Sequence, residues 1–304
     1  SGTGSDERRQ RGASHAAKKS WLIWLGGCII VGGSGAGALA RLLSQGAGGA
    51  AEGLRGGTRE RGEKGAAVMA AVRICCVSDT HGDEAGLGEL PQADVLLHGG
   101  DFTLFGREKH VQQFDSWGAA QPQPRECKVL VLGNHENRFV QSGQLEELRA
   151  ALPHWTLLSD EAHEACGLRF FGTRFFPDAE SASQAVDLPP SGIDVLVTHN
   201  PPHGHCDSDG CGHIALGLAA EAAAPKLHVF GHIHGGYGSE RVGWRAAGGT
   251  LLVNAANVEQ RKVCRPPFVV DVQPGEAGVA VLVAAEAQGE GAAEPEPEPE
   301  PEPE

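Results

Sequence analysis

Eight residues that could bind a metal or transfer a proton fall into five short clusters of the sequence. In order, the clusters hold Asp79 and His81, Asp101, Asn134 and His135, His199, and lastly His232 and His234. Each follows a run of Val, Ile and Leu that is typical of a buried β-strand. A single Asp or His in such a place is most often a turn former or a structural residue. Five consecutive strand ends of this kind instead indicate one shared site.

Glycine precedes the candidate ligand in three of these clusters, at Gly100, Gly133 and Gly231. Because glycine has no Cβ, it permits positive φ and lets the backbone approach a crowded ion site closely. His232 and His234 are one residue apart, so on an extended strand both side chains would point to the same face. That geometry permits a shared site without requiring one.

The elements that would position these residues alternate along the chain. Five predicted strands precede the clusters, within 72–79, 93–101, 127–135, 192–200 and 226–234, and helical spacing occurs at 106–118, 142–152 and 212–223. Strands alternating with helices predict an α/β domain, and ligands in such folds gather at the carboxyl ends of the strands. Later apolar runs at 169–175, 240–244, 250–256, 267–272 and 278–285 predict antiparallel hairpins. One mixed-sheet domain is therefore expected at 70–286.

The five clusters together resemble a known family. The patterns are Asp79-x-His81, Gly100-Asp101, Gly133-Asn134-His135-Glu136, His199 and Gly231-His232-x-His234. In this order they are similar to the full signature of the calcineurin-like metallophosphoesterases, over most of residues 72–256. Within that superfamily the chain looks most like the small metallophosphoesterase-domain phosphodiesterases, which are related to class III cyclic nucleotide phosphodiesterases. The loop at 204–212, GHCDSDGCG, departs from the pattern and puts a carried-over substrate preference in doubt.

The resemblance implies a fold and a set of site roles. The fold is a four-layer αββα sandwich with two mixed sheets and two divalent metal ions (Mn, Fe or Zn) at one edge. By motif position, one ion takes Asp79, His81 and His234, the other takes Asn134, His199 and His232, and Asp101 bridges both. A metal-bridging hydroxide would attack in line, and His135 would act as the general acid. Glu136 would either orient His135 or make an ordinary turn contact.

These roles predict a dinuclear-metal-dependent phosphoester hydrolase, and a phosphodiesterase above other classes. Its substrate would be a small phosphoester or nucleotide-like molecule, on whose base Phe102, Phe105 or Tyr237 could stack. The alternatives are a phosphomonoesterase, a protein phosphatase, or a scaffold that keeps the fold without catalysis. A protein phosphatase would carry arginines beside the metal ligands, and Arg138 is the one candidate near the third cluster.

The amino-acid composition limits which binding partners and which cellular compartment are expected. The chain has a net charge of -14, and seven glutamates lie in the Glu-Pro tail at 287–304, which we expect to be disordered. The folded part is only mildly acidic and is not expected to bind nucleic acid. Eight cysteines without repeated spacing predict neither a disulfide framework nor a zinc ribbon, and favour a reducing, cytoplasmic setting. Cys206 and Cys211 lie among His203, His205 and His213, but their spacing fits no standard zinc pattern.

The N-terminal segment, 1–68, is predicted to be poorly structured. Within it, Trp21–Ala40 holds twenty residues without a charge and follows several basic residues, which suits a membrane anchor. Six of the twenty are glycine, which lowers both helix propensity and hydrophobicity. A cleaved targeting segment is the second possibility. The third is that synthesis begins at Met69, the only methionine, and excludes this segment. The sequence does not indicate an oligomeric state.

Overall fold

The computed structural model describes residues 70–177, 186–208, 210–260 and 262–283, together with two short N-terminal strands. These strands, β1 (Trp24–Leu25) and β2 (Cys28–Ile29), pair antiparallel within a unit that spans residues 1–64. The remaining elements belong to a second unit, residues 65–304.

Two predictions fall mainly outside the described residues: the N-terminal segment 1–68 with its stretch 21–40, and the Glu-Pro tail 287–304. Within the part of the chain that the structure describes, no helix combines the length and the apolar character needed to cross a bilayer.

The second unit contains a first sheet of six strands. They are β3 (Val72–Val77), β4 (Val95–His98), β5 (Lys128–Leu130), β6 (Thr156–Leu157), β15 (Phe268–Val272) and β16 (Ala280–Val283). Their order is β16-β15-β3-β4-β5-β6, and β3 to β6 run parallel. The late strands β15 and β16 add an antiparallel edge.

The second sheet also has six strands. They are β7 (Glu161–Ala165), β8 (Leu168–Gly172), β9 (Val195–Val197), β10 (Leu227–Phe230), β11 (Gly238–Val242) and β12 (Thr250–Asn254). In the order β11-β12-β10-β9-β8-β7, the four central strands run parallel and each edge strand is antiparallel to its neighbour. A small separate hairpin joins β13 (Val258–Glu259) to β14 (Lys262–Val263).

In the described ranges, four α-helices cover the sheets: α1 (Glu108–Ala120), α2 (Asn137–Gln141), α3 (Leu145–Ala151) and α4 (Ile214–Ala223). Short 3₁₀ turns lie at Glu84–Leu87, Arg125–Cys127 and His234–Gly236. On α1, Val111, Phe114 and Gly118 are buried, which is the spacing of one helix face. At the start of α4, the Nδ1 atom of His213 accepts a hydrogen bond from the Leu216 N–H at 3.1 Å and caps the helix.

The packing of apolar side chains defines four layers. Alternate residues of β3 point to opposite sides, so Ile74 joins the core between the sheets while Cys75 packs toward α1 and α3. Leu196 of β9 packs outward against Ala220 of α4. Burying each such Leu or Ile side chain stabilises the fold by about 1.5–3 kcal/mol. The layers are therefore helix, sheet, sheet and helix, which confirms the predicted αββα sandwich.

The late apolar runs were predicted as hairpins, and this prediction is partly wrong. Strands β11 and β12 form one hairpin and β15 and β16 form another, as expected. However, β12 also lies parallel to β10, and β8 lies parallel to β9. The partner of β8 in its own hairpin, β7, has the sequence EAHEA and was missed. An edge strand that buries so little lacks the Val, Ile and aromatic residues by which strands are identified.

Candidate metal centre

The eight candidate residues meet at one edge of the sandwich. Strands β3, β4 and β5 of the first sheet and β9 and β10 of the second all end there, and each strand runs into a loop that carries one cluster. The structure brings together all eight: Asp79, His81, Asp101, Asn134, His135, His199, His232 and His234. Because the strands belong to two sheets, neither sheet alone could form this site.

One group of possible ligands contains Asp79, His81 and His234, whose ligand atoms all lie within 4.8 Å of one another. The Nε2 atom of His234 is 3.3 Å from Asp79 Oδ1 and 3.5 Å from the Nε2 atom of His81. Two ring nitrogens that face each other beside a carboxylate form a donor set suited to a divalent cation.

A second group contains Asp101, His199 and His232. The Asn134 Oδ1 atom lies 3.1 Å from His199 Nε2 and 2.9 Å from His232 Nδ1, which adds an amide oxygen to the group. Asp101 also joins a third group with His81 and His135. The Asp101 carboxylate therefore lies between the two halves of the site, where the family resemblance places a bridging ligand.

The protonation states of most of these side chains favour metal binding. Burial opposes ionisation of Asp79, but a hydrogen bond from His234 and the charge of His199 hold the pKa of Asp79 below its usual range. Burial lowers the pKa of His232 to about 4, so this ring is neutral near pH 7. His199 differs: burial is outweighed by the Asp101 carboxylate, and the pKa of His199 rises to about 9. Metal binding at His199 would therefore release a proton.

The loops that carry the ligands have unusual backbone conformations. Asp79, His81, Asp101 and His232 have φ values of 58°, 50°, 54° and 67°, in the left-handed region that non-glycine residues rarely adopt. Such conformations cost about 1–3 kcal/mol each and concentrate at functional sites. The extended geometry assumed for His232 and His234 was wrong, because β10 ends at Phe230 and His234 begins a 3₁₀ turn. The two histidines enter different groups of the site for this reason.

Close packing explains the glycines that precede the ligands. A Cβ atom at Gly133 would overlap the Asp101 carboxylate, and one at Gly231 would overlap the carboxylate of Asp79. Gly100 has a φ of 102°, and its Cβ would lie 2.7 Å from His199 Nδ1. Gly100 therefore needs both the positive φ and the lack of a Cβ that were expected from the sequence. Gly133 and Gly231 need only the lack of a Cβ.

One interpretation of the sequence was that Glu136 orients His135. The structure instead shows Glu136 bound to backbone groups of two loops. Its fully buried carboxyl accepts hydrogen bonds from the N–H groups of Asp101 at 3.0 Å, Gly133 at 3.1 Å and Thr103 at 2.9 Å. A fourth bond comes from the Thr103 hydroxyl. Burial and the Asp101 charge raise the pKa of Glu136 to about 8, against the effect of these donors. Glu136 thus fixes the loop that carries Asp101 to the loop that carries Asn134.

The orientation of His135 leaves one ring nitrogen free to act on a substrate. The backbone N–H of Phe105 donates to His135 Nδ1 at 3.1 Å, so Nδ1 is an acceptor and the neutral ring carries its proton on Nε2. That Nε2 atom lies 3.8 Å from Asp101 Oδ2, and the side chain is 19% exposed. An N–H group that can donate a hydrogen bond therefore lies beside the middle of the site and within reach of solvent.

Several supporting residues gave no signal in the sequence. The Ser78 hydroxyl donates to Asp79 Oδ2 at 2.6 Å, and the Ser78 N–H donates to Asn257 Oδ1 at 3.0 Å. Arg265 donates to the carbonyl of His234 at 2.5 Å. Asn257 and Arg265 follow the last cluster by more than twenty residues, so no local motif could connect them with the ligands. They hold the ligand loops in position.

In the loop at 204–212, the described residues on either side of position 209 are joined through an aspartate. Asp207 accepts hydrogen bonds from the N–H groups of Gly204 at 2.7 Å and Gly212 at 2.8 Å, and from Gly210 at 3.3 Å. Among the described residues, the groups able to hold a metal do not include Cys206 or Cys211.

Comparison with known proteins gives the same family as the resemblance. Residues 72–236 match the family model described as calcineurin-like phosphoesterase. The human and mouse proteins named metallophosphoesterase domain-containing protein 1 are each 31% identical over 240 residues, which cover 66% of this chain and 71% of theirs. A UPF0046 protein of Caenorhabditis elegans is 30% identical over 235 residues, covering 66% of this chain and 81% of its own.

Proposed function

Because this chain belongs to the calcineurin-like phosphoesterase family of metal-dependent phosphoester hydrolases, we propose that it cleaves phosphodiesters of small, nucleotide-like molecules. The observation that supports the proposal is the convergence of the seven predicted ligands into two neighbouring groups, with the Asp101 carboxylate between them. An inactive scaffold would have no need to maintain four left-handed backbone positions around such a set.

Two divalent cations fit the donor set. One would be held by Asp79, His81 and His234, the other by Asn134, His199 and His232, with Asp101 shared. Oxygen and imidazole donors without a thiolate suit Mn, Fe or Zn. When bound, the cations supply Lewis acidity, which polarises a phosphoester and makes a water molecule more acidic. The ionised Asp79 and the neutral His232 already have the protonation states that such ions require.

His135 would act on the leaving group. Its Nδ1 atom is held by the Phe105 N–H, which fixes the ring and directs the protonated Nε2 toward the space beside Asp101. To act as a general acid the ring must first become an imidazolium, with a second proton on Nδ1 in place of the hydrogen bond from Phe105. A phosphoester oxygen bound there could then take the Nε2 proton as its bond to phosphorus breaks, which leaves the neutral ring. General acid catalysis of this kind typically contributes 10²–10⁴-fold to the rate.

The positive side chains near the site favour a diester over a monoester. Arg265 is engaged with the His234 carbonyl and with Glu259, at 3.4 Å. The guanidinium of Arg138 lies over the Phe139 ring, 4.6 Å from its centre. A phosphomonoester brings two negative charges and needs additional cationic groups, whereas a diester brings one. With Arg265 already paired and Arg138 stacked on Phe139, the singly charged diester is the better match.

Phe105 supports a nucleotide-like substrate. Of the three aromatic residues considered from the sequence, Phe102 is fully buried and Tyr237 packs on Phe268 at 4.8 Å. Phe105 is instead 63% exposed, and its ring stacks on His135 with the centroids 5.2 Å apart. An exposed aromatic face next to the proposed acid could stack on a base of the substrate.

The test is hydrolysis by the full chain loaded with Mn²⁺, with bis(p-nitrophenyl) phosphate as the diester and p-nitrophenyl phosphate as the monoester. We expect a higher kcat/KM for the diester, and a loss of about 10²–10⁴-fold in the His135→Ala variant. His154→Ala is the matched control, because His154 is an exposed histidine that pairs with Asp115 and precedes β6, at the opposite ends of the parallel strands from the site.

The proposal fails if metal-loaded protein turns over the diester no faster than the His135→Ala variant does. A reversed preference, with the monoester cleaved more efficiently, would instead assign the protein to the phosphomonoesterases. Metal analysis identifies a non-catalytic scaffold independently of both activity results, because a scaffold would bind less than one ion per chain.

A further inference from the structure

Two free cysteines distant from the metal centre lie in direct contact. Cys127 and Cys166 are separated by 39 positions in the chain, and their sulfur atoms are 3.0 Å apart. Cys127 is buried, whereas Cys166 is exposed to solvent. A pair of thiols that includes one accessible member is a site where a disulfide could form.

The fold holds the two cysteines together without help from the sulfur atoms. Cys127 ends the 3₁₀ turn that leads into β5 of the first sheet, and Cys166 lies in the turn between β7 and β8 of the second. His163 Nε2 donates to the carbonyl of Glu126 at 2.7 Å, which ties this hairpin to the residue before Cys127. Cys127 and Ala165 also share the core between the sheets. The thiols are therefore aligned by contacts that persist in either redox state.

The turn that carries Cys166 is an unfavourable place for a cysteine. Cys166 and Gly167 form a two-residue loop, with φ values of 51° and 76°. Positive φ at both central residues is typical of a type I′ turn, in which Asn, Asp or Gly is preferred at the first position. Cysteine is not among these residues, so this conformation costs some stability and leaves the Cys166 thiol at the surface.

We propose that Cys127 and Cys166 form a reversible disulfide that links the two sheets when a disulfide oxidant such as oxidised glutathione is present. The exposed Cys166 thiolate attacks one sulfur of the oxidant, and the first glutathione thiolate leaves. Cys127 then loses its proton to solvent and attacks the Cys166 sulfur, which releases the second glutathione. The two protein thiols are oxidised by two electrons, and one oxidised glutathione is reduced to two thiols.

The order of attack follows from exposure. Burial, with the neighbouring Cys166 sulfur, raises the pKa of the Cys127 thiol to about 12, so Cys127 has little thiolate near neutral pH. Of the two cysteines in the pair, only Cys166 is exposed to a peptide-sized oxidant. Formation of the second bond depends on the short distance between the two sulfurs, which gives Cys127 a high effective concentration.

The disulfide would enclose residues 127–166, including Asn134 and His135 of the metal centre. A closed loop of this length restricts the unfolded chain. The oxidised protein should therefore melt on the order of 10 °C above the reduced protein. The linkage does not depend on the proposed phosphodiesterase activity.

The experiment exposes the full chain to oxidised glutathione, blocks the remaining thiols and maps tryptic peptides. Trypsin should release residues 126–128 linked to residues 150–169, and reduction with dithiothreitol should separate them. Calorimetry on the same samples should show the higher melting temperature of the oxidised form. Cys166→Ser should abolish both results, whereas Cys211→Ser, which removes another exposed cysteine, should leave both unchanged.

Two outcomes would overturn the proposal. One is a stable mixed disulfide of glutathione with Cys166 and no linked peptide. The other is a linked peptide in which Cys166 joins a cysteine other than Cys127. Because these readouts use no substrate and no metal, they stay interpretable even if the proposed phosphodiesterase activity is absent.

Discussion

Replacement of Glu136 should destabilise the loops that carry the metal ligands without removing a ligand. Its carboxyl accepts four hydrogen bonds, three from backbone N–H groups and one from the Thr103 hydroxyl. In Glu136→Ala all four buried donors lose their acceptor. Each unpaired donor costs about 1–3 kcal/mol, and water that enters the new space recovers part of it. We therefore expect the free energy of unfolding to fall by about 3–6 kcal/mol.

Glu136→Gln should lower the free energy of unfolding by less than Glu136→Ala does, because an amide can replace most of the hydrogen bonds. The amide oxygen can replace Oε2 and accept from Asp101 and Gly133, and the amide nitrogen can donate to the Thr103 hydroxyl. The Thr103 N–H then faces an amide N–H and is left unpaired. A carboxyl oxygen can accept from this N–H in either protonation state, whereas an amide nitrogen cannot. One unpaired buried donor predicts a loss of about 1–3 kcal/mol.

Urea unfolding of the metal-free protein measures these differences. The order of stability should be wild type, then Glu136→Gln, then Glu136→Ala, with similar m-values. Glu146→Ala is the control, because the Glu146 side chain is 84% exposed, and its midpoint should not move measurably. If the alanine variant lost less than about 1 kcal/mol, the reasoning from buried donors would be refuted.

Three further predictions concern the site itself. His232→Ala and His234→Ala should each lower metal content from two ions per chain toward one, and a variant of either kind that kept two full ions would contradict the division of the site. Phe105→Ala should raise KM by about 5–100-fold for the p-nitrophenyl phosphodiester of thymidine, because a stacking contact with the base is lost. KM for the methyl p-nitrophenyl diester, which has no base, should not change. An equal change for both substrates would exclude stacking. Chelation with EDTA should lower the melting temperature by several degrees, because an ion present at 100 times its Kd stabilises the native state by about 2.7 kcal/mol; an unchanged melting temperature would show that no ion was bound.

Local pattern identified most of the elements but not all of their boundaries. Predicted strands such as 226–234 extend beyond the observed β10, Leu227–Phe230, because the apolar run continues into the loop that reaches the site. The edge strand β7 was missed because edge strands need few apolar residues. The sequence also could not show which strands share a sheet, since pairing depends on contacts between distant residues.

The sequence by itself was enough to select the eight candidate residues of the site. Their types, their places after apolar runs and the glycines before three of them are local properties, so the eight residues could be named without any knowledge of the fold. It also determined the family, because the five clusters occur in a fixed order.

Only the tertiary structure decided how these residues are held and what surrounds them. The role of Glu136 depends on donors contributed by two separate loops, and the selection of Phe105 depends on which aromatic ring remains exposed. The contact between Cys127 and Cys166 arises where the β7–β8 hairpin of the second sheet packs against the 3₁₀ turn that precedes β5 of the first sheet. These relations join positions that are distant in the chain. The pairing of β4 with β5 brings together the two loops that Glu136 joins, and packing between the two sheets brings together Cys127 and Cys166.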